Sequence, residues 1–333
     1  MKRRNWIVFA IMATLLVAGT VIAQDSTDVS VQFGWVHTME YSGFYIAEDE
    51  GYYADENLNV ELVAGGFDEE GNFIFPIDKV LSGDTDFGLI GGDQLLLARA
   101  DGAPLVAIAV IYQRSPVVLM SLAESEILQP EDMIGETIAI DLQSATGLSF
   151  LAMLNLLEIE LEDINVVERT DFTNDMLTSG EVDILDGFVT NQPVALELEG
   201  YELNLIFPSD YGVDLYTNVI FTTEEMIAEQ PEVVEAFLRA TLSGFQAAVD
   251  NPQRAAELSV EYNDTLSLEA ETESMYRSVP LLNPVGSEPG MMRAEDWEFM
   301  HEILLEAGVL EEELDIEAAY TMQFLDAIYG AGE

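Results

Sequence analysis

The chain has 333 residues, 63 acidic against 11 basic side chains, and a formal net charge of −52. Such a field disfavours nucleic acid and anionic membrane surfaces as partners. Cysteine is absent, which removes disulfides, thiolate metal sites, cysteine nucleophiles and anchoring through a lipidated cysteine. The length exceeds the usual single-domain size, and 49% hydrophobic residues suffice for sizeable cores, so two domains are expected.

Lys2-Arg3-Arg4 is a positive n-region, Trp6 to Val17 an apolar run, and Val21-Ile22-Ala23 a small-residue cleavage site. This pattern predicts a signal peptide over residues 1–23, cut after Ala23, and hence an exported mature protein in the periplasm or at the extracytoplasmic face. A retained anchor is the alternative, although the run is short for a membrane span. Cleavage would leave eight basic side chains and all 63 acids. Lys2 and Lys79 are the only lysines. Acid excess with so little lysine suits a saline or acidic medium.

Val29 to Gly34 reads as a short strand and Ser42 to Glu50 as a helix closed by Gly51. Leu58 to Val63 is the next strand, completing a βαβ start. Ala64 to Phe75 is a glycine- and phenylalanine-rich loop before a helix over Pro76 to Ser82. That loop either lines a site or packs on its neighbours. Phe87 to Ile90 is a strand running into Gly91-Gly92-Asp93 and a helix over Gln94 to Ala100. Such a turn presents free backbone N–H groups at a helix N-terminus. Leu105 to Ile111 is a continuous apolar run, as in a strand buried on both faces.

Tyr112-Gln113-Arg114-Ser115-Pro116 interrupts that run and predicts a crossing between two lobes, with a strand resuming over Val117 to Met120. Glu136 to Leu142 is a strand, and Ser144-Ala145-Thr146-Gly147 opens a helix over Leu148 to Leu157, repeating the strand–turn–helix unit. Strands are expected over Ile164 to Glu168, Val182 to Val189, Leu203 to Phe207 and Tyr216 to Thr222, with part of a helix over Asn174 to Ser179 and another opened by Thr190 to Pro193. Pro208 to Asp214 is the expected return crossing. Helices follow, the last two amphipathic over Ala294 to Ala307 and Ile316 to Ile328. The order predicts two α/β lobes: residues 24–112 with 217–333, and residues 113–216, including crossings at about 112–116 and 208–216. Ligands bind beyond the carboxyl ends of strands in such sheets, which gathers the turns at Trp35, Gly91–Asp93, Ser144–Thr146 and Phe188–Asn191 around one cleft.

Catalytic constellations are sparse. The only histidines are His37, in the first aromatic loop, and His301, on an acidic and surface-like helix. His37 is read as either a ligand contact or a locally satisfied side chain. HExxH, Walker, GxSxG and paired-cysteine patterns are all missing, so neither a metal nor a cofactor is expected. The candidate recognition groups are Trp35, Tyr41, Phe188 and Tyr216 for stacking, with Glu40, Asp93, Gln113, Arg114, Ser144, Thr146 and Asn191 for polar edges. Arg114 has an alternative role, pairing with a carboxylate at the hinge.

The segments GWVHTMEYSGFYIAEDEGYYADENLNVELV, LSGDTDFGLIGGDQLLLARADGAPLVAIAVIYQRSPVVL and DMIGETIAI with GLSFLAMLNLLEI resemble the SsuA/THI5-like (NMT1/THI5) group of periplasmic solute-binding proteins of ABC importers. The resemblance covers about residues 29–250. It implies an α/β, two-lobe periplasmic binding protein type II fold that closes on a solute and docks on membrane permease subunits, as a monomer. Members bind thiamine pyrimidine precursors, riboflavin, or alkylsulfonates and taurine. The group also includes pyrimidine synthases. Their cysteine-rich motif has no counterpart here, and Lys79 does not match their active-site segment. The expected ligand is a small neutral aromatic heterocycle, first a thiamine pyrimidine precursor, with riboflavin or a sulfonate as alternatives. The Asn/His pair that the pyrimidine binders carry after this Trp is replaced by Val36-His37, a departure from their pattern. An exported enzyme acting on a related heterocycle is the competing class.

Overall fold

The computed structural model describes residues 26–330 apart from residues 69, 170–172 and 285–286. The expected targeting segment, residues 1–23, lies outside the described residues. The first part of the chain forms β1 (Thr27–Gln32), α1 (Ser42–Asp49), α2 (Tyr52–Asp55), β2 (Leu58–Val63), α3 (Pro76–Ser82), β3 (Phe87–Ile90), α4 (Gly92–Ala100) and β4 (Leu105–Tyr112). Next come β5 (Val117–Leu122), β6 (Thr137–Ala139), α5 (Ala145–Leu156), β7 (Asn165–Val167), α6 (Asp175–Thr178), β8 (Ile184–Phe188), α7 (Gln192–Leu198) and β9 (Leu203–Ile206). The chain then forms β10 (Thr217–Thr223), α8 (Glu224–Glu229), α9 (Pro231–Asp250), α10 (Pro252–Tyr262), α11 (Leu268–Leu282), α12 (Ala294–Glu306) and α13 (Gln323–Tyr329).

The strands make two five-stranded sheets, ordered β2-β1-β3-β10-β4 and β7-β6-β8-β5-β9. In the first, β1 pairs in parallel with β2 and β3, while β10 lies antiparallel between β3 and β4. In the second, β6 pairs in parallel with β7 and β8, and β5 runs antiparallel to β8 and β9. The chain therefore passes between the sheets twice, after Tyr112 and before Thr217. All eight residues of β4 are buried, as its unbroken apolar run requires of a strand covered on both faces.

Helix starts follow local chemistry. Ser144 caps α5 by accepting from the Gly147 N–H at 3.1 Å, and Thr223 caps α8 by accepting from Met226 N–H at 3.1 Å. Proline occupies the first turn of α3, α7, α9 and α10, where its missing N–H leaves no helical bond unmade. The aromatic loop after β2 packs: Phe67 and Phe73 sit against Trp35 with ring centroids at 5.9 and 6.3 Å. Two expectations need correction. Ile316 to Ile328 is not one helix, because Tyr320 forms a bridge with Ala107 and leaves only a 3-10 turn (Ile316–Ala318) and the short α13. His301 is not a surface residue: it is buried, and its Nε2 accepts from the Leu314 N–H at 3.0 Å.

Helices α1 and α9 cross where Gly43 faces Gly244. A Cβ at Gly244 would lie 2.0 Å from the Gly43 carbonyl oxygen, with the neighbouring backbone N–H of Ala47 at 3.0 Å. Backbone on both sides of the contact cannot yield as a flexible side chain would. Gly244→Ala is therefore expected to lower folding stability by about 1–3 kcal/mol in chemical denaturation, whereas Ser243→Ala, one residue away and exposed, stays within about 0.5 kcal/mol.

Candidate functional site

The two sheets meet along loops at their strand ends. Gly91, at the start of α4, approaches Ala145, at the start of α5, so closely that a Cβ on Gly91 would stand 3.4 Å from that of Ala145. Farther along, Thr38, Met39 and Glu40, after β1, face Thr190 and Asn191, before α7, across a cavity of about 50 Å³. Leu266, Glu271 and Ser274 complete its wall. The cavity has room for a few water molecules. A heterocycle needs the sheets to stand farther apart.

What marks this cavity is unsatisfied polarity. Glu40 is 7% exposed and Glu271 8%. Among the described residues, Glu40 accepts one long bond, from Asn218 Nδ2 at 3.4 Å, and Glu271 accepts from the Met39 N–H at 2.8 Å. Burial pushes the Glu40 carboxyl up to about 7; Asn218 opposes the rise and the nearby Glu271 adds to it. Burial also raises Glu271, against the pull of the Met39 N–H. Among the described residues, the buried Thr38 Oγ1 has no hydrogen-bond partner, and neither has Thr217 Oγ1 at the start of β10. Asp93 gives one oxygen to the Gln94 N–H at 2.8 Å and leaves the other unpartnered; burial raises its carboxyl to about 6. Native interiors leave few such groups, and their clustering at one inter-sheet seam points to a site.

A second, larger depression of about 640 Å³ lies between α7 and α11, lined by Val194, Leu198, Leu268 and Tyr276 among others. It is open to solvent, and its cation is fully engaged: Arg277 pairs with Glu197 and Glu273. The smaller cavity carries the chemistry.

The sequence candidates divide between the cavity, its rim and the surrounding frame. Glu40 and Asn191 line the cavity. Asp93, Ser144 and Thr146 stand where the starts of α4 and α5 meet. Thr146 donates to Asp186, and Asp186 is ion-paired to the buried Arg169 at 2.7 Å. Phe188 ends β8, half-buried. Tyr41 is buried and stacked on Phe33 at 4.1 Å, and Tyr216 packs on Trp297 while its hydroxyl donates to Asp296. Gln113 donates to the carbonyls of Leu282 and Glu288. Arg114 pairs with Asp214 at 2.7 Å, and the same carboxylate accepts from the Ser115 N–H. Asp214 thus ties the two crossings together. His37 contacts Tyr45, Nδ1 to hydroxyl 3.0 Å, a local role.

Sequence reasoning missed Thr38, Asn218 and Glu271, and reached Thr190 only as part of the Phe188–Asn191 turn. Asn218 adopts φ 53° inside a strand, which nothing local signals. Glu271 had a legible mark: the buried positions 271, 274, 275, 278 and 282 of α11 form one helical stripe, and an acid on such a stripe is unusual.

A family profile described as NMT1/THI5 like matches residues 38–255. The riboflavin-binding protein RibY of Chloroflexus aurantiacus is 26% identical over 306 residues, spanning 89% of this chain and 86% of that protein. The formylaminopyrimidine-binding protein of Halalkalibacterium halodurans is 27% identical over 300 residues, spanning 88% and 89%. Among solved structures, the periplasmic aliphatic sulphonate binding protein SsuA from Escherichia coli superposes with a TM-score of 0.71 at 14% identity, over 90% of this chain and 99% of that one. That likeness establishes the type II periplasmic binding protein fold and says nothing of the ligand.

Because its folded carboxyl sits above the ordinary value, Glu40 favours the folded state most at low pH. That contribution is full below about pH 4.5 and is lost as the pH rises towards 7. Glu40→Gln is expected to remove a fall in stability over this window on the order of 3 kcal/mol. Denaturation midpoints measured at both ends of the window check it. Asp93 and Glu271, also raised by burial, add to the residual slope with the same sign, while His37, lowered by burial, opposes it.

Proposed function

The chain belongs to the NMT1/THI5-like family, and we propose that it is an extracytoplasmic solute-binding protein of an ABC importer. In this reading, residues 24–112 with 217–333 form one lobe, residues 113–216 the other, and a small aromatic heterocycle is held between them. A thiamine pyrimidine precursor is the first candidate ligand and riboflavin the second, in keeping with the names of the two relatives. The observation that carries the reading is the cavity at the seam of the two sheets, walled by both and holding buried polar groups without partners. The tied crossings at Arg114 and Asp214 supply a hinge about which the lobes part to admit the solute. Permease subunits would read the closed form.

Two alternatives are disfavoured on specific grounds. A sulfonate wants an uncompensated cation, and the buried arginine near the seam, Arg169, is neutralised by Asp186. The cavity itself offers carboxylates. Catalysis of the pyrimidine-synthase type is disfavoured because Lys79 lies on α3 with a side chain 41% exposed and paired to Asp84. A Schiff-base lysine is activated by desolvation or a neighbouring cation, and Lys79 has neither.

The test is mass spectrometry of small molecules released from gently purified mature protein. A thiamine pyrimidine or a flavin near one per chain is the expected result. A stoichiometric sulfonate, or steady conversion of an added heterocycle into product, would sink the proposal.

A further inference from the structure

We propose that the ion pair of Arg277 with Glu197 is a latch between the two lobes, setting how much of the solute-free protein is closed. This rests on the two-lobe reading above and adds to it a residue that governs closure without touching the cavity.

The argument starts from charge. Residues 113–216 carry 21 acidic side chains against two basic ones, and the remaining residues beyond 23 carry 42 against six. Two bodies so alike in charge repel each other at the short range that screening leaves. Among the described residues, Arg277 forms the only ion pair that joins one body to the other. Arg114 and Arg169 pair inside the second, with Asp214 and Asp186. The other five basic side chains pair inside the first. In a chain so poor in cations, one is placed where the like-charged bodies meet.

The geometry suits a clamp. Arg277 stands on α11, in the first lobe, and its Nε donates to Glu273, one turn back on the same helix, at 3.2 Å. That bond aims the guanidinium away from its own helix. One terminal nitrogen then meets Glu197 on α7, and the other lies 3.5 Å from the Val189 carbonyl after β8. One planar fork thus holds two segments of the second lobe. The Arg277 side chain is 21% exposed, partly withdrawn from the water that weakens surface pairs. Without the guanidinium, Glu197 and Glu273 would stand on opposite sides of the seam with no cation between them.

Arg277 does not line the seam cavity. Its influence on a solute therefore passes through the population of the closed form, because apparent affinity scales with the fraction of protein that is competent to bind.

The test reads that population directly, in protein without solute. Cysteine is absent, so two introduced cysteines can be spin-labelled selectively. Glu61→Cys on β2 and Glu162→Cys just before β7 replace exposed residues, one on each lobe. Double electron–electron resonance between the labels is expected to show a shorter and a longer distance. Arg277→Gln should lower the ratio of shorter to longer about threefold or more. Glu197→Gln should lower it less, since Arg277 keeps Glu273. Exchanging the charges, Arg277→Glu with Glu197→Arg, should restore the ratio, which a role in packing alone would not allow. Arg239→Gln breaks pairs of the same kind inside the first lobe and should leave the ratio unchanged. Thermal melts report that each variant folds. Two distances whose ratio no seam variant changes overturn the latch and leave lobe closure intact. A shift in the single variants that the exchange fails to reverse also overturns it. A single distance common to wild type and every variant overturns both the latch and the lobe movement. None of these outcomes depends on which solute the protein holds, which the mass spectrometry decides separately.

Discussion

Strand β10 is laid antiparallel between β3 and β4, so the first sheet is completed only after the chain has built the second and come back. Without β10, β4 would lose its one strand neighbour in that sheet, and the buried apolar run Leu105 to Tyr112 would keep only isolated bridges, from Ala107 to Tyr320 and from Val110 to Gly290. Long-range pairing of this kind places the outgoing and returning crossings side by side, which is why Asp214 can reach both Arg114 and the Ser115 N–H. The same return sets the polar start of β10 beside the seam. Thr217 and Asn218 enter there, and the left-handed backbone of Asn218 (φ 53°) accompanies an amide directed at Glu40. The return crossing therefore leads directly into the strand that carries Asn218, a partner of the buried Glu40 carboxylate.

The two halves of the seam differ in how their polar groups are satisfied. On the second sheet, Arg169 donates to both the side chain and the carbonyl of Asp186, and Thr146 closes the third corner. This network is held within the protein, although Thr190 Oγ1, in the cavity wall of the same half, is buried with no partner among the described residues. On the first sheet, Glu40, Glu271 and Asp93 are buried without cations. A buried carboxylate without an ion pair relieves its desolvation by holding a proton or by gaining donors. Under the proposed solute-binding reading, donors supplied by a solute would lower the free energy of the form that buries these carboxylates.

Much of the fold was legible because its signals are local. Apolar runs of strand length, glycine and proline at the turns, and polar interruptions at Tyr112–Pro116 and Pro208–Asp214 mark the elements and both passages between sheets. The segment Ile316 to Ile328 was misread because its spacing carries no sign of the bridge from Tyr320 to Ala107, a contact more than two hundred residues long in sequence. The candidate site was legible only in part. The rule that ligands gather at strand ends picked out Asp93, Ser144, Thr146 and Asn191, and these lie at the seam between the sheets. Tyr41 and Tyr216 satisfied the same rule, yet tertiary packing absorbed both rings into the core. Glu271 was hidden by abundance: among 63 acids, one that faces inward has no distinctive neighbour, and only the periodicity of α11 sets it apart.

The large negative charge invites the idea that the surface itself selects the solute, by drawing in cations and repelling sulfonates. Screening limits that effect. At physiological salt the field of an exposed carboxylate decays over about 8 Å, and in the saline medium that the composition suits it decays faster. Most of the acids among the described residues are exposed or half-buried, so they influence encounter rates and solubility more than discrimination between bound solutes. Glu40 and Glu271 are screened by protein instead of water. Any polar group brought against them acts at low effective dielectric, where one misplaced acceptor outweighs many distant charges. The charge buried at the seam is thus a small part of the charge the protein carries, and the part that salt weakens least.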